Sequence, residues 1–303
     1  NKMAYQQGDT ITATDYNNFV ANINAVISTG SGDSGYGLTA VSNVSVGATI
    51  SAAQWNSLLD GLQTAGNHQG TTLTNASNTV TTGGNILPLA NLAADITLID
   101  TNRLTADAGN MSTGVAGTSS SRTTAWTGTV SHTFTVTYAD ANAARYFFNS
   151  GGKIKFAFSR SGGTTSDQNT SWTNLLSGLG TVEFGATGSQ STGSAGFYDL
   201  TGTPASVYNS AVGSGAYSAN DVDIAASVSS NVITFTVSFN DDHAAATGTY
   251  TGGGLGTAPN EGTGWTGTDS VDGTLTSTIT FDKADNASYV QVASPTFSTT
   301  SGL

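Results

Sequence analysis

A thirteen-residue pattern near the start of the chain occurs twice, and this duplication limits what the N-terminal part can fold into. The run from Gly8 to Val20 returns as Gly47 to Leu59 at a constant offset of 39 residues, with Thr10-Ile11 matched by Thr49-Ile50 and Asn17 by Asn56. In each copy a hydroxyl residue, Thr12 or Ser51, stands where an N-cap is needed, just ahead of apolar residues at helical spacing. These are Tyr16, Phe19, Val20, Ile23 and Val26 in the first copy, and Trp55, Leu58, Leu59 and Leu62 in the second. A helix with one apolar stripe cannot bury it alone. The expected solution packs the two copies as a helical hairpin, with Tyr36-Gly37-Leu38 in the connection. Residues 1–70 are therefore expected to form a duplicated helical attachment module built on Tyr16, Phe19, Trp55 and Leu58.

A polar stretch then leads to Gly83-Gly84, and Pro88 opens a further helical segment, where its missing N–H costs little. Leu89, Leu92, Ile96 and Ile99 step by three, four and three residues, the a/d pattern of a short coiled coil. Two readings follow from this stripe. It is an oligomerisation seam, with the Leu and Ile choice favouring a trimer or higher, or it is an ordinary amphipathic helix packed on its own chain. Residues 71–108 are read as linker plus this short coiled-coil-like helix.

From about residue 109 the pattern changes. After a Gly, Ser and Thr stretch read as a linker, Val130, His132, Phe134, Val136 and Tyr138 alternate with Thr129, Ser131, Thr133, Thr135 and Thr137, the signature of a half-buried strand. A short helix is expected over 139–148 and another around Trp172, Leu175 and Leu176. Strands are expected at Ile154 to Phe158, at Val182 and Phe184, in a hairpin turning at Ser229-Ser230-Asn231, and at Leu275 to Phe281 and Val290 to Val292. The 38 glycines and the 9% content of charged residues agree with many short strands and tight turns. The fold class read from the sequence is α+β and mainly β: a helical hairpin and short coiled-coil region, then a Gly- and Thr-rich β-sandwich-like domain over 109–303.

The net charge of −12 arises from 20 acids against eight Lys and Arg that form no basic block, which argues against a nucleic-acid partner. No apolar run approaches the ~20 residues that cross a bilayer, so membrane insertion is not expected. Cysteine is absent, so stability must come from packing and subunit contacts.

Catalytic signals are sparse. The histidines fall in a loop (His68), within a strand (His132) and beside Asp241-Asp242 (His243), without the convergence a metal site needs. Asp221 with Asp223, or Asp269 with Asp272, could offer oxygen ligands, but no segment has the closing glutamate of a calcium loop. The two glutamates, Glu183 and Glu261, are read as an outward strand residue and a loop residue, not as a glycosidase pair. No enzyme, cofactor or metal is expected. Trp126, Tyr198, Tyr208, Tyr217, Tyr250 and Trp265 lie in or near expected loops, where aromatics more often cap the sheet core or pack across subunits; for stacking on a host-surface glycan, Trp265 and Tyr250 are the foremost candidates.

Several segments resemble structural proteins of tailed phages, particularly marine and cyanobacterial ones. They include Met3-Ala4-Tyr5-Gln6-Gln7-Gly8-Asp9-Thr10-Ile11, Asp15-Tyr16-Asn17, Gln54-Trp55-Asn56, Arg145 to Ile154, Asn169-Thr170-Ser171-Trp172 and Val271-Asp272-Gly273. The resemblance implies a virion component (tail fibre, neck appendage or head decoration) partnered by further copies of itself and other virion proteins. The alternative class is a carbohydrate-binding adhesin or receptor-binding module.

Overall fold

The structure, a computed structural model, describes residues 11–74, 79–84, 89–188, 194–243, 247–249, 266–268 and 270–301. It is a mixed, β-rich α+β fold with two antiparallel sheets. The chain forms two compact units, each assembled from separated stretches of sequence.

The helical unit comprises 1–113, 140–152 and 282–294. It contains α1 (Ala13–Ile27), α2 (Ala52–Gln69), α3 (Leu89–Thr101) and α4 (Ala141–Asn149). Both expected N-caps form. The Thr12 hydroxyl accepts from Asp15 N, and Ser51 and Gln54 close a reciprocal capping box. Tyr16, Phe19, Trp55 and Leu58 are buried and build the core of this unit. The two helices approach closely at Gly61, where a Cβ would stand 3.0 Å from Val41, 3.1 Å from Ile27 and 3.3 Å from Ile23. α3 packs against both α1 and α2.

This packing decides between the two readings of the leucine and isoleucine stripe. Leu92, Ile96 and Ile99 are 2%, 6% and 0% exposed within the single chain. The expected seam is thus filled from inside, because α1 and α2 already supply the apolar surface that two heptads would otherwise seek in another copy. Leu89 begins the helix, and its side chain lies outside the described residues.

The β unit comprises 114–139, 153–281 and 295–303. Its strands, numbered along the chain, are β1 (Met111–Arg122), β2 (Gly128–Thr137), β3 (Lys153–Ser161), β4 (Thr181–Phe184), β5 (Ala205–Val212), β6 (Asp221–Ser229), β7 (Val232–Asp241), β8 (Thr247–Thr249), β9 (Thr266–Thr268), β10 (Thr274–Ala284) and β11 (Thr296–Ser301). The four-stranded sheet runs β1-β10-β3-β4 and the five-stranded sheet β11-β2-β7-β6-β5. The helix α5 (Asp167–Leu179) lies against β3 and β5. Inward residues of the two sheets meet: Phe156 and Phe184 each lie 5.0 Å from Phe235 between ring centroids, and Phe158 lies 5.5 Å from Phe239. The β6–β7 hairpin turns at Ser230, which takes φ 57°.

Three expectations are corrected. The stretch read as a linker from 109 is largely strand β1, and its half-exposed polar sequence gave no alternating signal because it lies at a sheet edge. The last strand is β11, whereas Val290 and Val292 flank Gln291, which forms only an isolated bridge with Asp285. The helical unit also takes in 140–152 and 282–294, so 109–303 is not one continuous domain. No helix among the described residues is long and apolar enough to cross a membrane.

Candidate functional site

The residues that could carry chemistry are best followed through the ties they make. In the helical unit, the extended segment after α1 is hung on that helix by two asparagines. Asn17 Nδ2 donates to Val44 O at 2.9 Å while Val44 N donates to Asn17 Oδ1 at 2.9 Å. Asn24 makes the same pair of bonds with Val41, both at 2.8 Å. The spacing is geometric: seven residues of helix rise about 10.5 Å and three extended residues span about 10 Å, so side chains at 17 and 24 meet backbone at 44 and 41. In the second copy Asn56 grips Val80 identically, at 3.0 and 2.8 Å.

Beside these clamps, the α1–α2 connection is fixed by a buried polar chain. Tyr36 Oη donates to Arg103 O at 2.9 Å and accepts from Gln69 Nε2 at 2.7 Å, and its ring lies edge-on to His68 at 5.1 Å. Burial raises the Tyr36 phenol well above its usual range and pushes the His68 imidazole down to about 4, against the opposing pull of the Ser150 carbonyl. His68 is therefore neutral at physiological pH and sits in the last turn of α2, not in a loop. From α4, Arg145 donates to the carbonyls of Thr29, Gly32 and Ser34, and Asn149 donates to Gly35 O at 3.0 Å. A groove of about 430 Å³ runs between the clamped segment and α2, lined by Tyr16, Leu38, Val41, Gln54, Asp60 and Gly61 among others.

In the β unit, Asp272 is the hub. Its carboxylate accepts from Arg160 Nη2 at 3.2 Å, from the Thr164 amide at 3.0 Å, from the Thr164 hydroxyl at 3.1 Å and from the Asn169 side-chain amide. Asn169 Oδ1 in turn accepts from the Asp272 amide at 3.0 Å. These are the residues of the Asn169-Thr170-Ser171-Trp172 and Val271-Asp272-Gly273 segments, and they lock the start of α5 to the approach to β10.

A second cluster surrounds Asp241. Its side chain points inward at the end of β7 and accepts from Gln168 Nε2 at 2.7 Å. Burial pushes the carboxyl up to about 6, although Gln168, Asn220 and Trp172 face it and His243 stands near it. The His243 ring lies 4.6 Å from Tyr217, and Asp242 is exposed, so the three consecutive residues do not converge on one point. Among the described residues, no group of three or more His, Cys, Asp and Glu side chains could hold a metal ion.

The remaining sequence candidates resolve individually. Glu183 bridges to Lys153 at 2.6 Å and Lys155 at 3.4 Å, and the Lys153 hydrogen bond holds its carboxyl below the usual range, the opposite of a poised general acid. His132 is buried and bonded through Nδ1 to the Ser277 hydroxyl, and burial lowers it to about 4. Asp221 and Asp223 both accept from Asn240. Trp126 is not a loop aromatic free for contact: it is buried 4.8 Å from Trp172, and its backbone pairs with Val271. Tyr217 is fully buried, Tyr198 is half-buried, and Tyr208 lines a groove of about 390 Å³ with Ser171, Asn174 and Leu175. Tyr250, Trp265, Glu261 and Asp269 lie outside the described residues.

The sequence reading missed the asparagine clamps and the Asp272 hub. The repeat carried the first signal, since Asn17 and Asn56 are matched positions. The second had none, because Asp272 and Asn169 are 103 residues apart.

No family model matches the chain, and neither a curated protein nor a solved structure is significantly similar to it.

Proposed function

We propose that this chain is a non-enzymatic structural component of a tailed-phage virion, acting through assembly with other virion proteins and with further copies of itself. In this reading the β unit is a β-sandwich displayed outward, and the duplicated helices form a hairpin that anchors it. The observation that carries the reading is where the phage-like segments fall in the fold. Asn17 and Asn56, Arg145 and Asn149, and Asn169 and Asp272 all belong to those segments, and each makes internal ties to backbone or to a partner side chain. Side chains used in this way hold a shape and leave no polar group over for a reaction.

The Leu92, Ile96 and Ile99 stripe does not contribute the contacts between copies, since it is used within the chain. The test is the mass of the native assembly by light scattering together with its position in a cryo-EM map of an intact particle. A defined oligomer located on the virion supports the proposal. A monomer that is absent from the particle removes it and leaves the glycan-binding alternative to be examined by glycan retention.

A further inference from the structure

One face of α5 carries polar groups that the fold itself does not use. Ser171, Asn174, Leu175 and Gly178 form a single helical stripe and line one wall of the groove of about 390 Å³. The opposite wall is the end of β5 and the residues after it, with Tyr208, Val212, Gly213 and Ser214. Thr170 and Thr173, on either side of Ser171, turn their hydroxyls back onto the helix and bond the carbonyls of Ser166 and Asn169. Ser171 does not, although it is only 2% exposed, and among the described residues its hydroxyl has no other hydrogen-bond partner. The Asn174 amide, the Tyr208 phenol and the Ser214 hydroxyl are likewise unbonded among the described residues. Tyr208 reaches the groove through an irregularity in β5: Ser206 pairs with Ala225 and Tyr208 with Ile224, so Val207 is an extra residue and the edge strand bulges. Bulges of this kind re-aim side chains, and here Tyr208 faces α5 across the groove. Gly213 leaves Ser171 accessible, since a Cβ there would stand 3.5 Å from Ser171 Oγ and collide with the Tyr217 carbonyl.

The chemistry of the two walls selects a ligand class. No Lys, Arg, His, Asp or Glu lines the groove, so a phosphate or carboxylate meets no cation there and a cation meets no carboxylate. Burial raises the Tyr208 phenol above its usual range, which keeps it protonated and neutral. Each of the four unused groups can both donate and accept, and an apolar ligand would strand the buried Ser171 hydroxyl. Beside them lie apolar surfaces: the Tyr208 ring, Leu175, and Val212, which is 60% exposed and one of three large apolar side chains exposed among the described residues. A neutral ligand dense in hydroxyls but with C–H faces satisfies both sets, and the groove has the volume of a small-molecule pocket. We propose that the groove between α5 and β5 is a binding site for a neutral saccharide, whose hydroxyls bond Ser171, Asn174 and Ser214 and whose ring rests on Tyr208 and Val212. This site is separate from the Trp265 and Tyr250 candidates, and it does not depend on the chain being a virion component.

The test titrates the deuterated, nitrogen-15-labelled full chain with glucose, galactose, mannose and N-acetylglucosamine at millimolar concentrations, with glucuronate, inorganic phosphate and an uncharged tetrapeptide as competing classes. The expected result is a saturable shift of the Ser171, Gly178, Gly213 and Ser214 amides with at least one neutral sugar. Gly178 is exposed and a Cβ there meets nothing within 4 Å, so Gly178→Leu obstructs the groove without disturbing the fold and should abolish the shifts. Tyr208→Ala, which removes the stacking ring, should weaken them about tenfold. No shift with any of the four sugars overturns the site, as do shifts that persist in both folded variants. Stronger shifts of the same amides by glucuronate, phosphate or the peptide overturn the assignment to a neutral saccharide. None of these outcomes bears on whether the chain is found on a particle, so this inference and the virion reading fail separately.

Discussion

Asn17 and Val44 are joined twice, side-chain amide to carbonyl and amide to side-chain oxygen, both at 2.9 Å. The same pair of bonds at Asn56 and Val80 makes the repeat a structural unit of helix plus clamped strap, not merely two similar helices. Replacing Asn17 with Ala removes two hydrogen bonds worth about 1 kcal/mol each and leaves strap backbone without partners. Asn17→Ala and Asn56→Ala are each expected to lower stability by about 2 kcal/mol in urea unfolding. Asn18→Ala, an exposed neighbour on the same helix, is expected to stay within about 0.5 kcal/mol of wild type.

Gly37 is placed where no side chain fits. It takes φ 79°, and a Cβ there would stand 2.4 Å from the Tyr146 ring. Gly37→Ala must both strain the backbone and displace Tyr146, which belongs to the same helix as the Arg145 and Asn149 ties. A loss of about 2 kcal/mol or more is expected, on the order of backbone strain plus overpacking. Thermal unfolding followed by circular dichroism measures it, and an unchanged midpoint would show that α4 has another place to go.

The legible part of the fold and the illegible part divide by position in the sheets. β2, β3, β6 and β7 announce themselves because one face of each is buried and the other is not, as in the alternation of Phe134 and Val136 with Thr135 and Thr137. β1, β5 and β11 are edge strands. They carry Gly, Ser and Thr where a central strand would carry Ile or Phe, and β5 has register shifts around Tyr208, so no period of two survives to be read. The helices were readable from their stripes, but a stripe states only that a face must be covered and not by what, and so Leu92, Ile96 and Ile99 fitted two readings equally. Long-range ties such as Asp272 with Asn169 leave no local trace at all.

Asp272 is expected to be the most costly polar residue of the β unit to remove. Asp272→Ala strips the carboxylate from Arg160, whose side chain is only 6% exposed, and from the amide and hydroxyl of Thr164. A guanidinium left buried without its partner costs about 3 kcal/mol or more. Asp272→Asn keeps the acceptor oxygen but not the charge and should fall between. Urea unfolding of the three proteins orders them, and an Ala variant as stable as wild type would mean that Arg160 finds water instead.

Asp241 sets a pH dependence of the opposite sign to an ordinary ion-paired carboxylate. Its carboxyl is held at about 6 in the folded state against 3.8 when unperturbed, so the folded chain binds the proton more tightly than the unfolded chain. Stability from this group is therefore gained as pH falls from above 6 towards 4, and is absent at higher pH. A shift of this size corresponds to at most about 3 kcal/mol. Asp241→Asn, neutral throughout, is expected to be less pH-dependent than wild type between pH 4 and 7 and relatively more stable at pH 8. Unfolding free energies at several pH values check it, and a difference between the two proteins that does not vary with pH would place the carboxyl back in the usual range.

The last prediction separates assembly from folding. If the stripe on α3 joined copies, Ile99→Asp would yield folded monomers, because only an intersubunit contact would be lost. Ile99 is 0% exposed within the chain, however, and the carbonyl of the same residue accepts from Gln69, which also holds Tyr36. A carboxylate at that position would be driven into the apolar contact of α3 with α1 and α2. Ile99→Asp is therefore expected to lose helical signal and unfold at lower urea. Leu98→Asp, at a 40% exposed position one residue away on the same helix, should keep both fold and oligomeric state. Light scattering and circular dichroism on the two variants distinguish the cases: monomers with full helicity from Ile99→Asp would restore the seam, whereas unfolding of that variant with an intact Leu98→Asp assembly places the contacts between copies elsewhere on the molecule.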